Sequence, residues 1–179
     1  PNPRDRPYAA VLTSQFNLVH DTDQTRTILG LGLGVLGPAA QGEQTQNGFH
    51  DLIRDPSANG WSYQIKNMPV VQLVGARIWR LPVLGDSDDG LQLDVLPSMA
   101  GAVGTWRDYG QVGAQIRLGQ GLKSDFGTSR ISPGLTGADA YTPTRNFAWY
   151  VFAGADGQAV AWDSTLDGNP FASGPHVNR

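Results

Sequence analysis

An amide and an imidazole stand one helical turn apart in the run Gln-Thr-Gln-Asn-Gly-Phe-His, residues 44–50. Gln46 and His50 have the spacing i, i+4, so both side chains share one face if the run is helical. An imidazole titrates near neutral pH and can take a proton from water. An amide one turn earlier can donate to a carbonyl oxygen or hold that water. Ester hydrolysis uses such a pair together with a group that orients the base, commonly a carboxylate. Asp55 is assigned that place, because Asp51, next to His50 in the chain, points away on a helix. The plainer alternatives are a structural histidine on a half-apolar helix and a solvated aspartate at its end.

Other chemistry finds less support. The chain has three histidines; His20 sits beside a turn and His176 in a polar tail, and both read as surface residues. No Gly-x-Ser-x-Gly elbow is present, which favours activated water over a serine nucleophile. Asp86, Asp88 and Asp89 invite comparison with a calcium loop, but the glycine and distal glutamate of an EF-hand are missing, so they read as a solvated turn. No metal ligand is assigned. With no cysteine, disulfides and thiolate metal sites are excluded.

The elements that must position the pair are mostly strands. Residues 27–37 alternate, with Leu29, Leu31, Leu33 and Val35 on one face and Gly30, Gly32 and Gly34 on the other. Residues 111–119 do the same, setting Val112, Ala114, Ile116 and Leu118 against Gly113, Gln115, Arg117 and Gly119. Further strands are expected within residues 8–20, 70–79, 91–104 and 147–163. Residues 42–54 read as a short helix on a connection, with Phe49, Leu52 and Ile53 on its apolar side, stopped by Pro56 and Asn59-Gly60. Residues 107–109 and 121–146 read as loops. The alternation suits a polar-lumen barrel in lipid and an antiparallel sheet with one wet face equally well. Trp149, Tyr150, Phe152 and Trp162 are either an aromatic girdle at a membrane interface or ordinary core.

The chain has 179 residues, enough for one domain. Charged residues are 16%, below the roughly 25% of an average soluble domain. Low charge with 23 glycines suits a β protein with close backbone approaches. A net charge of −3 and no basic stripe exclude nucleic acid as a partner. No apolar run is long enough for a transmembrane helix, which leaves a transmembrane barrel open. The opening Pro1-Asn2-Pro3, with no initiator Met or leader, reads as the start of an internal piece of a longer precursor.

Several segments together resemble the LpxR-type lipid A 3′-O-deacylases of Gram-negative outer membranes. They are Asp5-Arg6-Pro7-Tyr8-Ala9, Gly34-Val35-Leu36-Gly37-Pro38, Gln46-Asn47-Gly48-Phe49-His50, Arg117-Leu118-Gly119 with Asp125-Phe126-Gly127, Phe152-Ala153-Gly154-Ala155, and Leu166-Asp167-Gly168-Asn169-Pro170-Phe171. The resemblance implies an all-β fold, a twelve-stranded antiparallel transmembrane β-barrel. Residues 1–179 would be its middle portion, an open curved sheet with a short helix on a rim loop and with N- and C-terminal strands missing. It implies a calcium-dependent hydrolase in the outer membrane. That enzyme removes the 3′-linked acyloxyacyl group of lipid A in lipopolysaccharide, among outer-membrane lipids. His50 would activate water, Gln46 would assist at the carbonyl and Asp55 would orient the base. The family's acidic residue after the histidine falls here at Pro56, next to Asp55. Its Ca2+ ligands fall in an N-terminal segment outside this chain, so the piece alone would be inactive. The alternatives are a non-catalytic outer-membrane barrel paralogue and a soluble β-sandwich binding module.

Overall fold

The computed structural model describes residues 6–85, 90–128, 141–144 and 147–177. Seven strands form one antiparallel sheet: β1 (Val11–Asp21), β2 (Thr25–Leu36), β3 (Met68–Trp79), β4 (Leu81–Leu84), β5 (Gln92–Gly104), β6 (Arg107–Gln120) and β7 (Trp149–Asp163). Helix α1 (Gly42–Ile53) lies between β2 and β3, and a single turn, α2 (Ser164–Asp167), follows β7. The sheet runs β1-β2-β3-β5-β6-β7, with β4 alongside β5. Among the described residues it is open, with β1 and β7 at its edges. The aspartates at 86, 88 and 89 lie outside the described residues.

Burial is inverted relative to a soluble sheet. Leu29, Leu31 and Leu33 are exposed, and so are Val112, Ile116 and Leu118. Gln115 and Arg117 on the opposite face of β6 are buried, as are Arg26, Gln72, Gln92 and Asp94. Water on the aliphatic side would make this arrangement unfavourable, at about 25 cal/mol for each Å² of apolar area left wet. Hydrocarbon on that side removes the penalty, which is the pattern of a lipid-facing wall around a polar lumen. A soluble β-sandwich would turn those leucines onto a second sheet, so this alternative is set aside.

The glycine face of β2 admits its neighbours closely. A Cβ on Gly34 would lie 2.1 Å from the Leu12 carbonyl oxygen and 2.8 Å from Thr13 Cα. Both obstacles are backbone and cannot rotate away. Gly34→Val is therefore expected to lower the unfolding free energy of the full-length barrel by about 1–3 kcal/mol. Gly75→Val, where a Cβ meets nothing within 4 Å, is the control, and urea titration in vesicles compares the two.

Buried charge is concentrated at the end of the sheet away from α1. Arg117 is fully buried and forks onto Asp94, with Nε to Oδ1 at 2.9 Å and Nη2 to Oδ2 at 2.6 Å. Its Nη1 donates to Asp125 Oδ1, and Nη2 also donates to the Leu122 carbonyl at 2.8 Å. The chain after β6 thereby folds back over the lumen instead of running along the rim. Arg80 falls in the one-residue break between β3 and β4. Its side chain turns inward, donating to the Asp23 and Asp125 carbonyls at 2.6 Å each and lying 4.1 Å from the Phe126 ring centroid. An interruption that re-aims one side chain is a common use of a strand irregularity.

Two sequence readings need correction, and one choice left open by the sequence is decided. Residues 107–109 belong to β6, because the β5–β6 hairpin turns tightly at Thr105 and Trp106. Gln72 closes that turn, its amide donating to the Arg107 carbonyl and accepting from the Trp106 and Arg107 N–H groups. Tyr150 and Phe152 are not girdle residues. They pair in register with Gly119 and Arg117 on the lumen face, where Tyr150 stacks under the Arg117 guanidinium at 5.0 Å. Residues 121–128, expected in a rim loop, start with a tight turn at Leu122–Ser124 and pack Leu122, Asp125 and Phe126 into the interior.

Candidate active site

Helix α1 spans Gly42–Ile53, close to the expected 42–54. It begins after Gln41 and ends at Arg54, both in the left-handed region at φ 56° and 59°. Left-handed Arg54 breaks the helix and lets the Asp55 N–H bond the His50 carbonyl at 2.9 Å. The chain then returns along the helix, and residues 56–61 supply partners to its polar face.

Three contacts make that return. The Ala58 N–H donates to Asn47 Oδ1 at 2.8 Å, and the indole Nε1–H of Trp61 donates to Gln46 Oε1 at 3.1 Å. His50 Nδ1 lies 2.7 Å from the Pro56 carbonyl oxygen. A carbonyl can only accept, so the Nδ1 in this bond carries the proton. In the neutral ring Nε2 then holds the lone pair. The same reasoning orients Gln46. An indole can only donate, so it engages Oε1 and leaves the amide NH₂ as the free end.

Asp55 Oδ2 stands 3.7 Å from His50 Nδ1, within ion-pair range and beyond hydrogen-bond distance. The bond that sets the ring is made by the backbone of the next residue, Pro56. Both Gln46 and His50 are half-buried. The structure thus brings Gln46, His50 and Asp55 together on one short segment. His20 lies on the exposed β1, and His176 bonds the Gly174 carbonyl at 3.0 Å in the tail, where neither joins the site.

Trp61 is a participant that sequence reasoning passed over, and Asn47 and Pro56 were named there without these contacts. Asn47 lay inside the motif, but its partner was not readable. Trp61 is buried and meets Tyr8 edge-on, with ring centroids 5.0 Å apart. The Tyr8 N–H donates to the Tyr63 carbonyl and the Ile65 N–H to the Tyr8 carbonyl. Ile65 anchors this layer in a small apolar cluster with Leu36, Met68 and Val70. The Asn169 side chain clamps it from the tail, donating to the carbonyls of Lys66 and Asn67 at 3.1 and 3.2 Å. The site therefore hangs on a braced platform at the β2–β3 rim.

The donor set does not make a metal site. Among the described residues no three His, Asp or Glu side chains gather so as to hold a cation. Calcium takes six to eight oxygen ligands, usually including several carboxylates, and Asp55 beside His50 offers one.

Comparison with known proteins agrees with the inverted wall. No curated protein matches the chain. Among solved structures, LpxR from Salmonella typhimurium superposes with a TM-score of 0.78 at 25% sequence identity, over 93% of this chain and 55% of that one. This chain thus spans about half the length of the protein it matches. Residues 1–179 match the family described as "Outer membrane protein LpxR". Strands that show leucine outward and arginine inward, joined to this match over every residue, place the wall in the outer membrane, and the chain belongs to the LpxR family of outer membrane proteins.

Proposed function

We propose that this chain carries the general base of a lipid A 3′-O-deacylase, and that the bond from His50 to the Pro56 carbonyl is the observation that best supports it. A histidine kept for packing has no need of a fixed tautomer. One that must accept a proton does, and a backbone carbonyl on Nδ1 leaves Nε2 able to do so. Nε2 removes a proton from water as the water oxygen bonds to the ester carbonyl carbon. The Gln46 NH₂ donates to the oxygen that becomes negative. When the carbon–oxygen ester bond breaks, the imidazolium returns its proton to the leaving sugar oxygen, releasing the acyl group as an acid. Asp55 contributes charge to the imidazolium at 3.7 Å, while Pro56 holds the ring. Calcium is part of the proposal through the family resemblance alone. Its ligands are assigned outside this chain, and no step above passes through it.

A wall without catalysis is the second reading, and the 3.7 Å gap between Asp55 and His50, too long for a hydrogen bond, favours it. Expression of the full-length protein in a host with intact lipid A separates the two. Loss of the 3′ acyloxyacyl mass from extracted lipid A supports the hydrolase, and unchanged lipid A supports the wall.

The Gln46 orientation gives a further expected result. Trp61→Phe keeps a ring against Tyr8 and removes the indole N–H that donates to Oε1. The amide then spends part of its time reversed. A full donor loss costs about 10²–10³ in kcat, so partial misorientation should cost roughly tenfold with KM unchanged. Steady-state kinetics on micellar lipid A checks this. A changed KM with normal kcat would show that Trp61 shapes binding instead.

A further inference from the structure

Helix α1 has two unlike edges. Gln46, Asn47 and His50 are tied to the returning chain. Phe49, Leu52 and Ile53 are 59, 79 and 54% exposed, and no residue of the helix is fully buried. At 3.6 residues per turn Ile53 projects roughly 60° from His50 around the helix axis, so the apolar edge borders the polar one. An exposed phenylalanine, leucine and isoleucine at i, i+3, i+4 is a contiguous patch, which marks an interaction surface.

What meets this patch is indicated by the wall it adjoins. The loop bearing α1 leaves β2 and enters β3, and the outward Leu31 and Leu33 of β2 with Val71 and Leu73 of β3 belong to the lipid-facing belt. The β2–β3 connection places α1 at the end of these two strands. Its own charged residues, Glu43 and Asp51, fall on other sides at helical spacing. An amphipathic helix with a bare apolar edge beside hydrocarbon settles in the interface plane. We propose that α1 lies in the membrane interface with Phe49, Leu52 and Ile53 inserted among the acyl chains of the leaflet at this rim. The polar edge is thereby set at the depth where an acyl ester meets its headgroup. This insertion stands on the outer-membrane wall and does not require His50 to be a base.

Depth-sensitive spin labelling tests it. The chain contains no cysteine, so in the full-length barrel, freed of any other cysteine, one nitroxide is attached at Leu52→Cys, Phe49→Cys or Asp51→Cys in turn. Each protein is reconstituted in dioleoylphosphatidylcholine vesicles, and heat-modifiable gel mobility confirms the folded barrel. Labels at 49 and 52 are expected to collide several-fold more with oxygen than with a soluble nickel chelate, and the label at 51 to show the reverse. Equal nickel access at 51 and 52 would overturn the proposal, because the edge would then face water. Shielding of 49 and 52 from both reagents would also overturn it, because protein, such as a second copy, would then cover them. Since the readout is depth, it is unaffected if the deacylase reading fails.

Discussion

Replacing His50 by alanine in the full-length protein is expected to lower 3′ deacylation by about 10²–10⁴ while the barrel still folds and inserts. The fold does not depend on this ring. It is half-buried and touches the return segment through one hydrogen bond to Pro56. Two other anchors of α1, Asn47 to Ala58 and Gln46 to Trp61, remain. Mass spectrometry of lipid A from cells expressing each form measures the loss, and gel mobility before and after heating reports the barrel. An active alanine variant would remove His50 from the mechanism. Asp55→Asn offers a finer comparison. If Pro56 sets the ring and Asp55 adds only charge at 3.7 Å, its effect should be much smaller than that of His50→Ala, on the order of tenfold or less.

The largest effect on stability is expected at Arg117. Its guanidinium is fully enclosed and serves Asp94, Asp125 and the Leu122 carbonyl together. Arg117→Met keeps the stem and removes every one of those donors. Two carboxylates then stay in the lumen without their main partner. Removing one member of a buried ion pair costs about 3–5 kcal/mol, because the orphaned charge remains desolvated. Urea unfolding of the full-length barrel in vesicles should show a loss of that size. Adding Asp94→Leu and Asp125→Leu should recover part of it, since no charge is then left behind. Arg117→Lys should fall between, because an ammonium cannot fork onto Asp94. A wild-type midpoint in Arg117→Met would mean that water fills this part of the lumen. The segment after β6 should loosen in the same variant, since Asp125 and Leu122 hold it to that guanidinium.

The two residues tie different levels of the molecule to its surroundings. Arg117 ties the interior face of the wall together through Asp94, Asp125 and the Leu122 carbonyl. His50 sits on a platform braced by Trp61, Tyr8 and Asn169, above the rim of that wall. Under the proposed function, a rigid wall and a braced rim would hold the base still against its ester.

The sequence by itself determined the wall and the helix. Leu29, Leu31 and Leu33 against Gly30, Gly32 and Gly34, and Val112 to Leu118 against Gln115 and Arg117, are period-two patterns, and side chains of a strand must alternate. Gln46 and His50 at i, i+4 share a face for an equally local reason, so the candidate pair could be named before any fold was known. Only the tertiary structure decided which face meets lipid. Alternation distinguishes two sides without naming the solvent on either, and the choice here rests on Asp94 and Asp125 reaching Arg117 from other segments. For the same reason Tyr150 and Phe152 turned inward, a choice that residue type alone had left open. The tautomer of His50 and the orientation of Gln46 were likewise settled by a carbonyl and an indole that a left-handed Arg54 and the folded-back chain deliver. A backbone oxygen has no letter in a sequence, so its role emerges only when the chain closes on itself.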